Sequence, residues 1–112
     1  MAFVLRIGQK TEIGNYRENN EDNVAVQALS TDGRCEVLAC LVADGMGGQL
    51  AGEEASKMAN EEIWRYLQEH YREVGSFEQV RQLIRQATLR ANERIMQKGQ
   101  FDRDYTDMGT TI

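Results

Sequence analysis

The chain contains no proline, and only one histidine and one tryptophan. It also has no internal repeat, linker or low-complexity segment, so nothing in it marks a domain boundary; 112 residues suit one small domain or part of a larger one. No apolar stretch approaches the roughly 18 residues of a membrane span. The opening Met1-Ala2-Phe3-Val4-Leu5-Arg6 lacks the basic region and long apolar core of a secretory signal. These absences point to the cytoplasm. Basic residues are outnumbered 13 to 18, giving a net charge of −5 and a pI near 4.9. That balance argues against a nucleic-acid or acidic-membrane partner, and solubility alone accounts for it. The two cysteines, Cys35 and Cys40, lie an odd number of residues apart on one predicted strand. They therefore point to opposite faces and do not pair, and both are expected as buried, reduced thiols. His70 falls in a polar part of a helical segment and is expected at the surface rather than in catalysis.

The most informative feature is Asp44-Gly45-Met46-Gly47-Gly48, which follows the apolar run Val37 to Ala43. The run predicts a buried strand that delivers one carboxylate to a sheet edge. An unpaired buried carboxylate costs several kcal/mol, so Asp44 needs a cation, donors or water. Alternation over Phe3, Leu5 and Ile7 predicts a first strand, and Val24–Leu29 a second. A polar loop connects them, and an Asp32-Gly33 hairpin turn joins the second strand to the third. Beyond the glycines, Ala51, Ala55, Met58, Ala59, Ile63, Tyr66, Leu67 and Tyr71 recur at helical spacing, with Gly75 as a stop. Ser76 and Gln79 form a capping box for a second helix. Its stripe is Val80, Leu83, Ile84, Ala87, Ala91 and Ile95, and Gly99 is its expected stop. Both stripes are packing surfaces, and such helix pairs cover a sheet face. Met108-Gly109-Thr110-Thr111-Ile112 begins a further β-prone run.

Arg17-Glu18-Asn19-Asn20-Glu21-Asp22-Asn23 immediately precedes the second strand. In an antiparallel hairpin the start of one strand lies beside the end of the next, which brings Glu21 and Asp22 to Asp44. Three converging carboxylates repel unless a cation intervenes, and Arg17 alone cannot neutralise them. Oxygen donors of this kind suit magnesium or manganese. A cluster of this composition is otherwise a solvated surface patch, and Asp-Gly otherwise a turn; the conjunction of both motifs in this strand order sets them apart. Gly45 to Gly48 could instead cradle a phosphate at a helix start. However, Leu50 stands where a dinucleotide fingerprint needs its third glycine, and there is no Gly-Lys-Ser/Thr of a P-loop.

Arg17-x-x-x-Glu21-Asp22, Val42-Ala43-Asp44-Gly45-Met46-Gly47-Gly48 and Met108-Gly109-Thr110-Thr111 resemble, in order, three motifs of the metal-dependent protein phosphatases, the type 2C family, in its bacterial form. The resemblance implies an α+β fold, a four-layer α-β-β-α sandwich of antiparallel sheets. Residues 1–112 would be its N-terminal portion, ending at the start of a strand, with further metal-binding aspartates expected beyond Ile112. It implies two or more Mn2+ or Mg2+ ions held by Asp44, by the Gly45 carbonyl, and by Glu21 and Asp22 directly or through water. Arg17 would grip the substrate phosphate, and Gly109, Thr110 and Thr111 would be structural. Two ions roughly 3.5–4 Å apart hold a hydroxide that attacks phosphorus in line. The implied activity is hydrolysis of phosphoserine and phosphothreonine in signal transduction. The implied partners are phosphorylated proteins, with a serine/threonine kinase and its targets, and the implied state is a monomer. Met46 stands where many eukaryotic relatives carry a proposed general-acid histidine; methionine cannot donate a proton. Alternatives are a non-catalytic phosphatase-like regulator or metal sensor, and an unrelated magnesium-binding α/β domain.

Overall fold

The computed structural model describes residues 6–31, 34–71 and 75–112. Strand β1 (Asp22–Thr31) pairs antiparallel with β2 (Arg34–Met46), and β3 (Gly109–Thr111) pairs antiparallel with the end of β2. The sheet order is β1-β2-β3, so β2 is central. Helix α1 (Gln49–His70) follows β2, and helix α2 (Phe77–Phe101) leads through a 3-10 turn at Arg103–Tyr105 into β3. This is an α+β arrangement of one sheet layer and one helical layer.

The alternation of the strands decides what each face meets. Ala43 is fully buried, with Ala25, Leu29, Ala39 and Leu41 packed towards the helices. Val42, next to it, is 63% exposed, and Met46 is 56% exposed on the same side. Val24 and Val26 share that outer face through their register with Val42 and Cys40. Apolar side chains thus line both sides of β2, the pattern of a strand meant for burial on two faces, but helices cover only one.

Helix α1 covers the sheet, burying Ala51, Ala55, Met58, Ala59, Ile63, Leu67 and Tyr71 as the spacing predicts. Trp64, outside the predicted stripe, is also buried. Asn60 donates to Asn23 Oδ1 and Gln68 to Gln27 Oε1 (3.0 Å), so amide pairs two helical turns apart fix α1 along β1. Helix α2 packs on α1 through Leu83, Ala87, Ala91 and Ile95. Lys98 bonds Glu54 at 2.9 Å, and Arg94 reaches both Glu61 and Glu62 at 3.5 Å, pinning the two helices. The expected pair of sheet-covering helices is therefore only half realised. α1 lies on the strands, while α2 faces them across an apolar cavity of about 360 Å³ lined by Ile63, Trp64, Leu83 and Leu41.

Several expectations need correction. Residues 6–8 form no strand and Ile7 is half exposed, while Phe3 and Leu5 lie outside the described residues, as does the Asp32-Gly33 turn. β2 does not stop at Asp44 but runs on to Met46, because β3 supplies a partner there. Helix α1 ends at His70, short of Gly75. Helix α2 passes through Gly99 and ends at Phe101, where Asp102 donates its N–H to Lys98 O and its carboxylate accepts from Asp104 N. Ser76 does cap α2, its hydroxyl accepting from Gln79 N at 3.2 Å, while the Gln79 side chain accepts from Gly75 N. Cys40 is exposed on the outer face rather than buried; the Cys35 side chain lies outside the described residues. Ile84, expected in the core stripe, is half exposed. His70 is partly buried, stacked on Tyr66 with ring centroids 4.1 Å apart, and makes a structural contact at the helix end.

Candidate active site

The register of the hairpin sets Asp22 directly opposite Asp44. The next rung is a backbone bond from Gly45 N to Glu21 O at 3.1 Å. On the other side of β2, Thr111 lies opposite Asp44 and Thr110 opposite Gly45. Asp44 therefore sits mid-sheet, with a neighbouring strand on each side holding its backbone. Asp22 and Asp44 stand on the uncovered sheet face, whereas Glu21 turns under the start of α1, its side chain only 12% exposed.

Arg17, Glu21, Asp22 and Asp44 line one cavity of about 240 Å³, with Glu12, Ile13, Asn19 and Asn20 completing the wall. Gly45 is buried beside it and does not line it. The Arg17 guanidinium is largely exposed and reaches Glu21 Oε2 at 3.8 Å, a loose ion pair that leaves its donors open to an anion. Asn20 fixes the entry to β1: its carbonyl oxygen accepts from Asp22 N at 3.1 Å and its amide donates to Thr11 Oγ1 at 2.9 Å. Asn20 lies in the polar loop, and its place two residues before the backbone N–H it bonds is the sequence signal for this role.

The Asp22 carboxyl binds its proton more tightly than usual. The largest cause is displacement of water by the surrounding protein, although the residue remains exposed overall. Repulsion by Asp44 and a hydrogen bond shared with it add to this, and the Arg17 charge opposes it. Two carboxylates in this relation favour a proton or a cation between them. Among the described residues no group of three or more His, Cys, Asp or Glu side chains is arranged to hold an ion unaided. The acidic side chains lining the cavity offer only oxygen atoms, the kind of donor a hard divalent ion takes.

Two glycine contacts shape the floor of the site. A Cβ on Gly45 would overlap the Gly52 carbonyl and lie 2.7 Å from Glu21 O. A Cβ on Gly52 would lie 2.8 Å from the Glu21 carboxyl and 3.1 Å from the Gly45 carbonyl carbon. The first turn of α1 therefore rests directly on the Glu21–Gly45 rung. Gly47 and Gly48 make the bend into the helix with φ of 131° and 69°, values that side chains resist.

The family profile described as Protein phosphatase 2C matches residues 15–112. The protein phosphatase PhpP of Streptococcus pneumoniae is 33% identical over 111 residues, covering 96% of this chain and 41% of the relative. The serine/threonine phosphatase stp of Listeria monocytogenes is 31% identical over 106 residues, covering 92% of this chain and 39% of the relative. A Streptococcus pyogenes protein named for the 2C type is 32% identical over 109 residues, covering 96% and 41%. The chain spans about two fifths of the length of these relatives. With 98 consecutive residues matched, the chain belongs to the protein phosphatase 2C family.

Proposed function

We propose that the whole protein removes phosphoryl groups from phosphoserine and phosphothreonine in other proteins, at a centre of two or more Mn2+ or Mg2+ ions. Residues 1–112 would form the N-terminal portion of its catalytic domain. The observation that carries this reading is the direct pairing of Asp22 with Asp44 in a cavity that also holds Arg17 and Glu21. Asp44, Asp22, Glu21 and the Gly45 carbonyl would hold the ions. Arg17 would bind the phosphoryl oxygens, since its planar fork matches them and its weak pairing to Glu21 leaves it available. Bound divalent ions supply Lewis acidity and make water a nucleophile near neutral pH. Asp44 contributes by holding its charge fixed mid-sheet, so little reorganisation accompanies binding. Met46 can neither give nor take a proton, so leaving-group protonation falls to other groups.

Among the described residues no helix is long and apolar enough to cross a membrane. We place the protein in the cytoplasm, as a monomer acting on the targets of a serine/threonine kinase. The serine/threonine phosphatase and protein phosphatase relatives above support a protein-phosphatase activity. Arg17, Glu21, Asp22 and Asp44 all being present favours the enzyme over a non-catalytic regulator, which would be free to lose them.

The test is hydrolysis of p-nitrophenyl phosphate and of a phosphothreonine peptide by the full-length protein with and without manganese. Manganese-dependent turnover is expected, and Asp44→Asn should lower it by roughly a thousandfold or more, in line with loss of a metal-centre ligand. Metal-independent turnover, or near-normal rates in Asp44→Asn, refutes the assignment.

A further inference from the structure

We infer that Gly52 is a positioning residue for the ion centre, acting through the Glu21 carboxylate; the inference rests on the functional reading above. Gly52 lies in the first turns of α1, in a stretch otherwise rich in alanine and glutamate. Glycine inside a helix costs about 1 kcal/mol relative to alanine, so a helix-forming segment that carries it needs a reason. The reason is spatial. A methyl at position 52 would stand 2.8 Å from both Cδ and Oε2 of Glu21, closer than carbon atoms tolerate. It would also press on the Gly45 carbonyl carbon at 3.1 Å. Both neighbours are groups assigned to the ions.

The two contacts differ in how they yield. The Glu21 carboxyl is the far end of a flexible side chain, loosely ion-paired to Arg17 at 3.8 Å, so it can swing away at little cost to the fold. Gly45 is backbone in a paired strand and can shift only by tenths of an ångström. An alanine at 52 therefore displaces the Glu21 carboxylate while leaving the fold standing. In the wild-type protein that carboxylate is packed against the first turn of α1, where the positive end of the helix dipole favours negative charge. The missing side chain at 52 is what admits it there. Gly45 is the reverse case: its close neighbour is the Gly52 carbonyl itself, so a side chain at 45 loads backbone against backbone.

Metal uptake by the full-length protein and its thermal melting separate these effects. Manganese titration followed by electron paramagnetic resonance reads the free ion without any substrate. Gly52→Ala is expected to weaken manganese binding at least tenfold while its Tm without metal stays within about 2 °C of wild type, because the gain in helix propensity offsets the local crowding. On a Glu21→Ala background the same change should cost no more than twofold, since the group it displaces is already gone. Unchanged affinity in Gly52→Ala overturns the inference. So does an equal loss on the Glu21→Ala background, which shows another route. A fall in Tm of 10 °C or more also overturns it, because the load then falls on the backbone. A wild-type protein that takes up no manganese removes the functional reading itself, and the inference with it.

Discussion

The two faces of the three-stranded sheet are built to different degrees of completion. On one face Ala43 is fully buried, α1 lies across all three strands, and the Asn23–Asn60 and Gln27–Gln68 pairs lock the helix in place. On the other, Val42, Met46 and Cys40 are exposed, and no described residue packs over them. The candidate site uses both. Glu21 and Gly45 belong to the finished side, clamped by α1, while Asp22 and Asp44 stand at the end of the open side. Half of the donors are thus placed by packing that the described residues already make. The other half project from a surface whose apolar neighbours invite further cover, and the four-layer sandwich implied by the motifs would supply it as a second sheet.

The difference is largest where α1 meets β2. Gly45→Ala places a methyl on the Gly52 carbonyl, and neither backbone can retreat without breaking a ladder or a helix. A loss of roughly 3 kcal/mol or more is expected, at the upper end of overpacking effects, and a fall in the urea midpoint measures it. A Gly45→Ala chain as stable as wild type would mean that the covered face is not closed as described. The faces themselves are compared by truncation. Ile63→Ala, beneath the sheet on α1, should cost 2–5 kcal/mol, as buried aliphatic truncations do. Val42→Ala in residues 1–112 alone should change stability by no more than about 0.5 kcal/mol, because its side chain already meets solvent. In the full-length protein the proposed second sheet would raise the Val42→Ala cost towards that of Ile63→Ala. Equal, small costs in both lengths would leave the outer face open and count against the sandwich.

Much of this arrangement was legible in the residues. Hairpin order alone brings Asp22 to Asp44, since antiparallel pairing leaves no other way for those strand ends to meet, and the structure sets them on one rung. The α1 stripe was equally plain, because alanines and large apolar residues at three- and four-residue steps can only face one way. What escaped was decided by tertiary contact. Gly99 reads locally as a helix stop, yet α2 continues past it, with Lys98 held by Glu54 and by the Tyr105 ring at 4.6 Å. Trp64 sits off the predicted stripe but is buried, lining the apolar cavity between α1, α2 and the sheet. Cys40 reads as core from its apolar neighbours, whereas its exposure depends on which face lacks a partner, and periodicity is blind to that. Gly52 carried a faint signal, an unfavourable residue in a good helix, whose meaning lies in a contact with Glu21 31 positions away.

The smallest expected effect probes the open side through charge. The Asp22 carboxyl has a raised pKa through loss of water around it and the nearness of Asp44, with Arg17 opposing. An acid whose folded pKa exceeds its unfolded value of 3.8 holds its proton more tightly in the folded chain. Its contribution is absent below that value, becomes unfavourable as pH rises through the folded pKa, and persists at pH 7. In chelator, Asp22→Asn should therefore raise Tm at pH 7 by about 1–2 °C, with the difference vanishing in acid. Manganese should reverse the order, because an ion that binds the folded wild type stabilises it by mass action and stabilises the variant less. A variant less stable than wild type in chelator would show that Arg17 outweighs Asp44 at Asp22. The open edge would then be balanced by its own arginine, without need of a cation.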